Sequence, residues 1–314
     1  MKNSTSAYFK RKQKNFMKNN KVILATLAAL TAQVIFGFSF MFTGIALENA
    51  SPMTVIADRY IVAFLGLSLV MLFTKTKLRI EKNIWKLVLM SLFQPLMYFV
   101  FETYGVERTN SSFSGVMISM IPIVSMIAGI FVLNERPSFM QYVFAALSVA
   151  GVVIAVLSGQ KEGIVSGLGV ILLIGAVLSS AFYNISSRKI SSEFSAFERT
   201  YAMTLIGVVS FVLIAFFENR QNPVNIIAGF SESSYLYAIL YLGIVSSVAA
   251  FLLLNFANTH LPVAKTTVFS NITTVVSVIA GVVFLDEQIT ALVILGVTMI
   301  VTGVVGVQAL NTKQ

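Results

Sequence analysis

The chain has 314 residues, of which 57% are hydrophobic and 11% are charged, and its mean hydropathy is +0.85. This composition excludes an ordinary soluble domain and predicts a polytopic membrane protein. The net charge of +9 does not indicate nucleic-acid binding, because the basic residues are concentrated beside predicted membrane helices.

Ten apolar stretches follow one another along the chain. They cover residues 22–46, 53–73, 84–105, 111–133, 139–158, 164–187, 197–217, 235–257, 262–285 and 289–309. Each is about 20 residues long or longer, which is enough to cross a hydrocarbon core about 30 Å thick. The runs are continuous and do not alternate with a period of two, so they predict helices and not a barrel. The expected fold class is an all-α membrane protein with ten transmembrane helices.

Basic residues predict the orientation of these helices. Seven lysines and arginines and no acidic residue lie in the tail of residues 1–21. If this tail is cytoplasmic, the segments on its side of the membrane hold 18 of the 22 basic residues. The positive-inside rule therefore predicts that this tail and the short tail of residues 310–314 are both cytoplasmic. The expected location is a bacterial inner membrane.

A stretch of thirty residues from Val124 to Val153 returns 152 positions later as Val276 to Val305. Eleven of the thirty aligned residues are identical without a gap, so we interpret residues 22–158 and 164–309 as two copies of one unit. Each copy holds five spans, an odd number, so the second must cross the membrane in the opposite sense. Such inverted repeats are typical of secondary transporters, which bind substrate between the halves and work by alternating access. A duplicated scaffold without a pathway is the alternative.

The sequence has no cysteine and one histidine, His260. Disulfides, thiolate metal sites and multi-histidine metal sites are therefore excluded. There is also no ATP-binding motif, so any transport would be driven by a gradient or would be facilitated diffusion. No metal and no cofactor are expected.

Polar residues occur near the predicted centres of six helices. The candidate substrate-binding residues are Gln33, Gln94, Tyr98, Ser119, Tyr183, Asn184, Ser246 and Asn271. Buried amides and hydroxyls need partners that lipid cannot give, which favours a central cavity with Ser119 and Asn271 facing each other. Hydrogen bonding between neighbouring helices is the competing explanation.

Four further residues are candidates for gating or coupling, namely Pro95, Pro122, Arg59 and Glu102. Each proline removes a helix N–H and is expected to free a carbonyl near the midplane. Arg59 and Glu102 are expected roughly 6 and 10 Å from the midplane, both in the outer half. They favour either a structural salt bridge or a functional role, and a proton-linked role for Glu102 is a further hypothesis.

Two recurring features are interpreted as structural. Glu135 and Glu287 end equivalent helices, and each is expected to pair with the start of the next helix. Small residues in the fifth and tenth helices suit close packing, either within one chain or between protomers, which leaves the oligomeric state open. They include Gly151, Gly296, Gly303 and Gly306.

Several of these residues together resemble a known family. They are Phe36 to Ser39, Pro52, Arg59, Tyr104, Pro122 to Glu135, Gly151, Ala280 to Glu287 and Gly303. In this combination the chain is similar to ten-helix members of the drug/metabolite transporter superfamily, of the EamA type. A difference is Phe36, where the family often has tryptophan. The resemblance implies two inverted five-helix halves and a central cavity lined by the first, third, fourth, sixth, eighth and ninth helices.

The predicted function is transport of a small organic metabolite, such as an amino acid or a related compound, across the bilayer. Export or exchange by alternating access is expected from the resemblance. A membrane-embedded enzyme and a channel are the alternatives. An enzyme would need a catalytic cluster, for which the sequence offers only Asp58, Glu102 and His260 on different sides of the membrane.

Overall fold

The computed structural model describes residues 2–76, 78, 83–109, 111–157, 166–221, 229–285 and 290–312. Every secondary-structure element described in this part of the chain is a helix. Two features of the sequence analysis, Glu287 and the hydrophilic connection at 160–163, lie outside the described residues. The borders of the two predicted repeats therefore stay a prediction.

Within the described residues, ten helical stretches are long and apolar enough to cross a membrane, as predicted. Spans 1 to 10 are, in order, Asn20–Leu47, Pro52–Thr74, Ile84–Val106, Val116–Leu133, Phe139–Val156, Gly167–Ser192, Ala196–Glu218, Ser233–His260, Val263–Ala280 and Ala291–Ala309. The helix of span 1 begins earlier, at Lys2, and runs to Leu47. The predicted and observed boundaries agree within a few residues, because the length of each apolar run sets the length of its helix.

Local sequence explains where several spans begin. The hydroxyls of Ser166, Ser195 and Thr290 each accept a hydrogen bond from a backbone N–H in the first turn of spans 6, 7 and 10. At span 7 the arrangement is a full capping box, since Glu198 also reaches back to the backbone N–H of Ser195. Span 2 begins with Pro52, whose missing N–H costs nothing in a first turn.

Four spans are interrupted near their middle. Span 3 comprises Ile84–Ser91, a π-helical segment Leu92–Met97 and Tyr98–Glu107, and span 8 comprises Ser233–Leu240, a π-helical segment Tyr241–Ala250 and Phe251–His260. Span 4 breaks between Ser111–Ile118 and Ile121–Leu133, and span 9 is Val263–Thr267, a 3-10 turn Val268–Asn271 and Ile272–Leu285. An offset of 152 places the break of span 4 on the 3-10 turn of span 9, and Leu92–Met97 inside Tyr241–Ala250.

The contacts between the first five and the last five spans are reciprocal. Span 1 packs against spans 8 and 9, while span 6, its counterpart, packs against spans 3 and 4. Span 2 packs against span 7, and span 5 packs against span 10. This exchange of partners is what a two-fold relation between two similar halves produces.

Glycines bring spans 5 and 10 into backbone contact. A Cβ atom on Gly151 would lie 2.6 Å from the carbonyl oxygen of Gly296, and one on Gly303 would lie 2.5 Å from that of Phe144. Phe144 and Gly296 are equivalent at the 152-residue offset, and so are Gly151 and Gly303. The two contacts are therefore equivalent under the 152-residue offset. Small residues here serve packing within one chain, which resolves the alternative left open by the sequence.

Candidate functional site

Hydrogen bonds between helix ends define two faces of the molecule. Gln141 at the start of span 5 bonds Thr312 beyond span 10, and Lys265 at the start of span 9 bonds the Gln308 carbonyl. We call this side, on which span 1 begins, the N-terminal face. Tyr104 and Glu218, which end spans 3 and 7, are hydrogen-bonded on the opposite side, the distal face.

Arg59 lies at the centre of a buried polar cluster in the distal half. Its Nε donates to the Ser247 hydroxyl at 2.6 Å, and its Nη2 donates to the Ser246 hydroxyl at 3.0 Å. Ser39 donates to Ser246 at 2.8 Å, which adds span 1 to the contact between spans 2 and 8. The guanidinium also lies over the ring of Phe99 in span 3, 5.2 Å from its centroid. We call these five residues the Arg59 cluster.

Glu102 lies beside this cluster without joining it. Its carboxylate accepts a hydrogen bond from Tyr98 at 3.0 Å, one turn earlier in span 3. Glu102 and Arg59 are near enough to attract each other electrostatically. However, no ion pair within 4 Å joins them in the part of the chain that the structure describes. The expected structural salt bridge is therefore not formed.

Two central candidates bridge the halves of the chain. Gln33 of span 1 accepts a hydrogen bond from Thr273 of span 9 at 2.9 Å. Gln94 of span 3 accepts one from Ser180 of span 6 at 3.5 Å. Both glutamines are buried, with exposed fractions of 6% and 9%. Each contact joins neighbouring helices. Both therefore fit the alternative explanation, in which these polar residues form hydrogen bonds between helices.

Ser119 and Asn271 are not hydrogen-bonded to each other among the described residues. Ser119 donates to the carbonyl of Val116 in its own helix at 2.6 Å. Asn271 donates to Ser148 of span 5 at 3.0 Å, and its side-chain oxygen has no partner in the described part of the chain. Ser119 lies at the break of span 4 and Asn271 in the 3-10 turn of span 9, but their side chains bond different partners.

The two prolines interrupt helices in different ways. Pro122 lies in the first turn of a new helix that follows the break at Ser119, where its lack of an N–H is tolerated. Pro95 follows Gln94, whose extended backbone (φ −146°, ψ 121°) departs from the helix. The break therefore precedes Pro122, and this proline does not kink a continuous helix.

A second network, nearer the N-terminal face, holds Tyr183 and Asn184. Tyr183 donates to the side-chain oxygen of Asn255 at 3.1 Å, and Asn184 accepts from Asn258 at 3.2 Å. Asn255 and Asn258 lie one turn apart in span 8, and sequence reasoning missed both. Their one-turn spacing within an apolar stretch was the available signal.

Arg199 completes this network and is itself fully buried. Its Nη1 donates to the carbonyl and hydroxyl of Ser187, and its Nη2 donates to the Asn255 carbonyl and the Thr259 hydroxyl. Its Nε donates to the Ser195 carbonyl. Arg199 is one of the basic residues that the charge pattern predicts on the cytoplasmic side, and the structure adds that its side chain is buried. The acceptors at the end of span 8 also lie at the negative end of a helix dipole.

Carboxylates at the N-terminal face fasten helix ends together. Glu135 accepts from Arg188 at 3.1 Å and from the backbone N–H of Val263 at 2.7 Å. The sequence suggested that Glu135 pairs with the start of the next helix, span 5. Its partners instead belong to spans 6 and 9. Nearby, the Lys86 ammonium donates to Glu193 at 2.6 Å, and this hydrogen bond lowers the pKa of Glu193.

Comparison with known proteins gives one consistent result. The model of the EamA-like transporter family matches residues 23–157 and 167–308. The uncharacterized transporter YcxC of Bacillus subtilis (strain 168) is 35% identical over 286 residues, which cover 90% of this chain and 92% of the relative. An uncharacterized transporter of Archaeoglobus fulgidus is 23% identical over 277 residues, 88% of this chain and 95% of the relative. A solved crystal structure of a protein has a similar fold, with a TM-score of 0.75 at 16% identity over 91% of this chain and 99% of that one.

Proposed function

Because this chain belongs to the EamA-like transporter family and is a membrane transporter, we propose that it moves a small organic metabolite by alternating access. Export or exchange is the proposed mode, driven by a gradient, and the membrane is the inner membrane of a bacterium. Neither the direction nor the solute follows from the names of the relatives, which say only that they are transporters.

The observation that carries this proposal is the set of interrupted helices. Spans 3, 4, 8 and 9 all depart from regular α-helix near their middle, and the departures coincide at the 152-residue offset. Non-helical backbone at membrane depth is tolerated only where it is buried in protein or lines a wet cavity. Broken helices at the midplane between two inverted halves are typical of substrate sites in secondary transporters.

The reciprocal packing supports the same proposal. Each half contributes a span that lies against two interrupted spans of the other half, namely span 1 on spans 8 and 9 and span 6 on spans 3 and 4. We infer that these six spans surround the pathway, and that the halves rock against each other to expose it alternately. The contacts of Gln33 and Gln94 join the halves, so they are expected to change during this motion.

Gln94 provides the test of this proposal. In proteoliposomes containing the purified protein, counterflow of at least one member of a metabolite panel is expected to saturate with concentration. In the Gln94→Ala variant the flux should be at least about tenfold lower than in the wild type, because the substitution removes a buried amide that contacts Ser180. Thr298→Val, a change on an exposed face of span 10, is the matched control and should leave flux unchanged.

Two results would count against transport by alternating access. Absence of saturable flux for every solute in the panel would overturn it. Flux that rises linearly without saturation or counterflow would instead indicate a channel. An enzyme is disfavoured because Asp58 bonds Tyr235, Glu102 bonds Tyr98 and His260 bonds the Phe256 carbonyl, so the three contact separate partners.

The orientation has a separate test, made simple by the absence of cysteine. A single cysteine at Arg220, which is exposed at the distal face, should react with a membrane-impermeant maleimide in intact cells. One at Arg136, exposed at the N-terminal face, should react only after the cells are opened. This result would support cytoplasmic termini, and the opposite labelling pattern would reverse the orientation.

A further inference from the structure

Arg59 combines burial with unused hydrogen-bonding capacity. We propose that it anchors a carboxylate group of the transported solute, an inference that rests on the transport function proposed above. The residue lies in span 2, and its neighbours come from spans 1, 3 and 8, all three of which are among the six spans inferred to surround the pathway.

Only some of the N–H donors of Arg59 have a hydrogen-bond partner among the described residues. A guanidinium has five N–H donors. Ser247 takes the Nε–H and Ser246 takes one Nη2–H, which leaves three donors without a partner among the described residues. Arg59 is only 7% exposed, yet Nη1, which has no partner among the described residues, is not among the polar atoms that are both unpartnered and sealed from solvent. Nη1 therefore retains accessible surface at which a ligand can bind.

The unused donors also have the geometry of a carboxylate site. The two serines occupy the edge of the guanidinium formed by Nε and Nη2. What remains is the opposite edge, formed by Nη1 and the second Nη2–H. Two parallel N–H groups on one edge form the bidentate pair with a carboxylate that makes arginine specific for planar oxyanions. Ser246 and Ser247 hold the plane of the guanidinium fixed, so this edge is preorganised.

No protein carboxylate forms an ion pair within 4 Å of Arg59 in the described part of the chain. Asp58, its neighbour in sequence, points elsewhere and accepts a hydrogen bond from Tyr235 at 2.6 Å. Glu102 is bonded to Tyr98 and forms no ion pair with Arg59. An isolated buried charge is costly unless it is paired. A solute that supplies the missing negative charge therefore gains affinity that a neutral analogue does not.

Arg199, the other buried arginine described above, has a purely structural role and provides a comparison within the same protein. All five of its donors are used, on carbonyls and hydroxyls of spans 6 and 8 and of the first turn before span 7. Arg59 is held by only two bonds, and both lie on one edge. Arg199 therefore links helices with all of its donors, whereas Arg59 has one edge of its guanidinium available to bind a ligand.

The charge balance favours a carboxylate over a phosphate. Arg59 is the cation of the cluster, and the acidic Glu102 is near enough to interact with it electrostatically. A phosphate dianion would meet one positive and one negative group, whereas a carboxylate monoanion needs only the one cation. The ring of Phe99, against the guanidinium face, gives an apolar surface for the carbon skeleton of such a solute.

The test measures binding and transport separately. Full-length protein in detergent is titrated with sodium acetate, 3-methylbutanoate, phenylacetate and succinate, each compared with its own amide and with inorganic phosphate at equal ionic strength. At least one carboxylate should raise the melting temperature in a saturable manner, while its amide does not. Arg59→Gln should weaken that binding at least about tenfold, since a charge-assisted hydrogen-bonded pair is lost. Arg59→Lys, which keeps the charge without the fork, should be intermediate and serves if Arg59→Gln does not fold.

Two further variants sharpen the result. Glu102→Gln should bind the same carboxylate as tightly as the wild type or more tightly, because a competing negative charge is removed. Arg136→Met removes an exposed cation at the other face and should bind like the wild type. The inference is overturned if no carboxylate binds, if phosphate binds better, or if the Arg59 variants bind a carboxylate as tightly as the wild type.

Proteoliposome flux distinguishes this inference from the transport proposal. Arg59-dependent carboxylate binding without saturable flux of any solute would overturn transport and leave the anion site standing. Saturable flux with the same concentration dependence in wild type and Arg59→Gln would overturn the anion site and leave transport standing. A carboxylate flux whose half-saturating concentration is at least about tenfold higher in Arg59→Gln than in the wild type supports both proposals.

Discussion

Replacing Gly151 by leucine is expected to prevent stable folding of the protein. A Cβ at this position would lie 2.6 Å from the Gly296 carbonyl oxygen and 2.8 Å from the backbone nitrogen of Ile300. Both atoms belong to a helix backbone and cannot rotate away, so spans 5 and 10 would have to separate. Overpacking a well-filled interior typically costs about 1–3 kcal/mol, and a backbone clash belongs at or above the upper end of that range.

The measurement is the yield and melting temperature of the monodisperse protein in detergent. Gly151→Ala should already lower the melting temperature, and Gly151→Leu should give little or no monodisperse protein. Gly303→Leu should behave alike, because it makes the equivalent contact with Phe144. Gly44→Leu is the matched control, since nothing lies within 4 Å of its Cβ. A Gly151→Leu protein as stable as Gly44→Leu would show that spans 5 and 10 do not touch.

Arg199→Met should destabilise the protein by about 3 kcal/mol or more. Methionine fills a similar volume but donates nothing, so Ser187, Asn255 and Thr259 each lose a charge-assisted hydrogen bond from a fully buried side chain. Spans 6, 7 and 8 would lose their common attachment at the N-terminal face. Arg199→Lys, with three donors in place of five, should be intermediate.

Thermal unfolding in detergent checks this expectation, with a fall in melting temperature of about 5 °C or more for Arg199→Met. Arg136→Met is the control, because Arg136 is exposed near the same face. Equal melting temperatures for the two methionine variants would mean that water replaces the lost hydrogen bonds. Arg199 would then be a surface residue in practice, in conflict with its burial.

The fold could be predicted from the sequence because one physical requirement dominates it. A helix that crosses a hydrocarbon core needs a long apolar run, and each such run is visible without knowledge of its neighbours. The ten spans and the even number of crossings followed from run lengths and charge. Family membership followed from combinations such as the block from Pro122 to Glu135, which the match over residues 23–157 includes.

The positions of the candidate residues along their helices could be predicted from the sequence, but the directions of their side chains could not. Position along a helix fixes how deep a residue lies, at about 1.5 Å per residue. It does not fix the angle at which the helix is turned, which depends on packing against helices distant in sequence. Asn271 illustrates this, since it lies in the 3-10 turn that interrupts span 9 but bonds Ser148 of span 5. For the same reason Asn255, in an otherwise apolar run, became important only once Arg199 and Tyr183 were seen to converge on it.

The hydrogen bond from Asn271 to Ser148 has an energetic consequence for the proposed exchange of conformations between the halves. The equivalents of these residues are Ser119 and Ile300, and isoleucine has no side-chain group that can accept such a bond. If the proposed exchange breaks this bond, we expect the two access states to differ in free energy, because the equivalent pair cannot form a bond of the same kind. A buried hydrogen bond contributes about 1 kcal/mol, which corresponds to a population ratio of about five. For the proposed mechanism we therefore expect the empty protein to favour the state that keeps this bond.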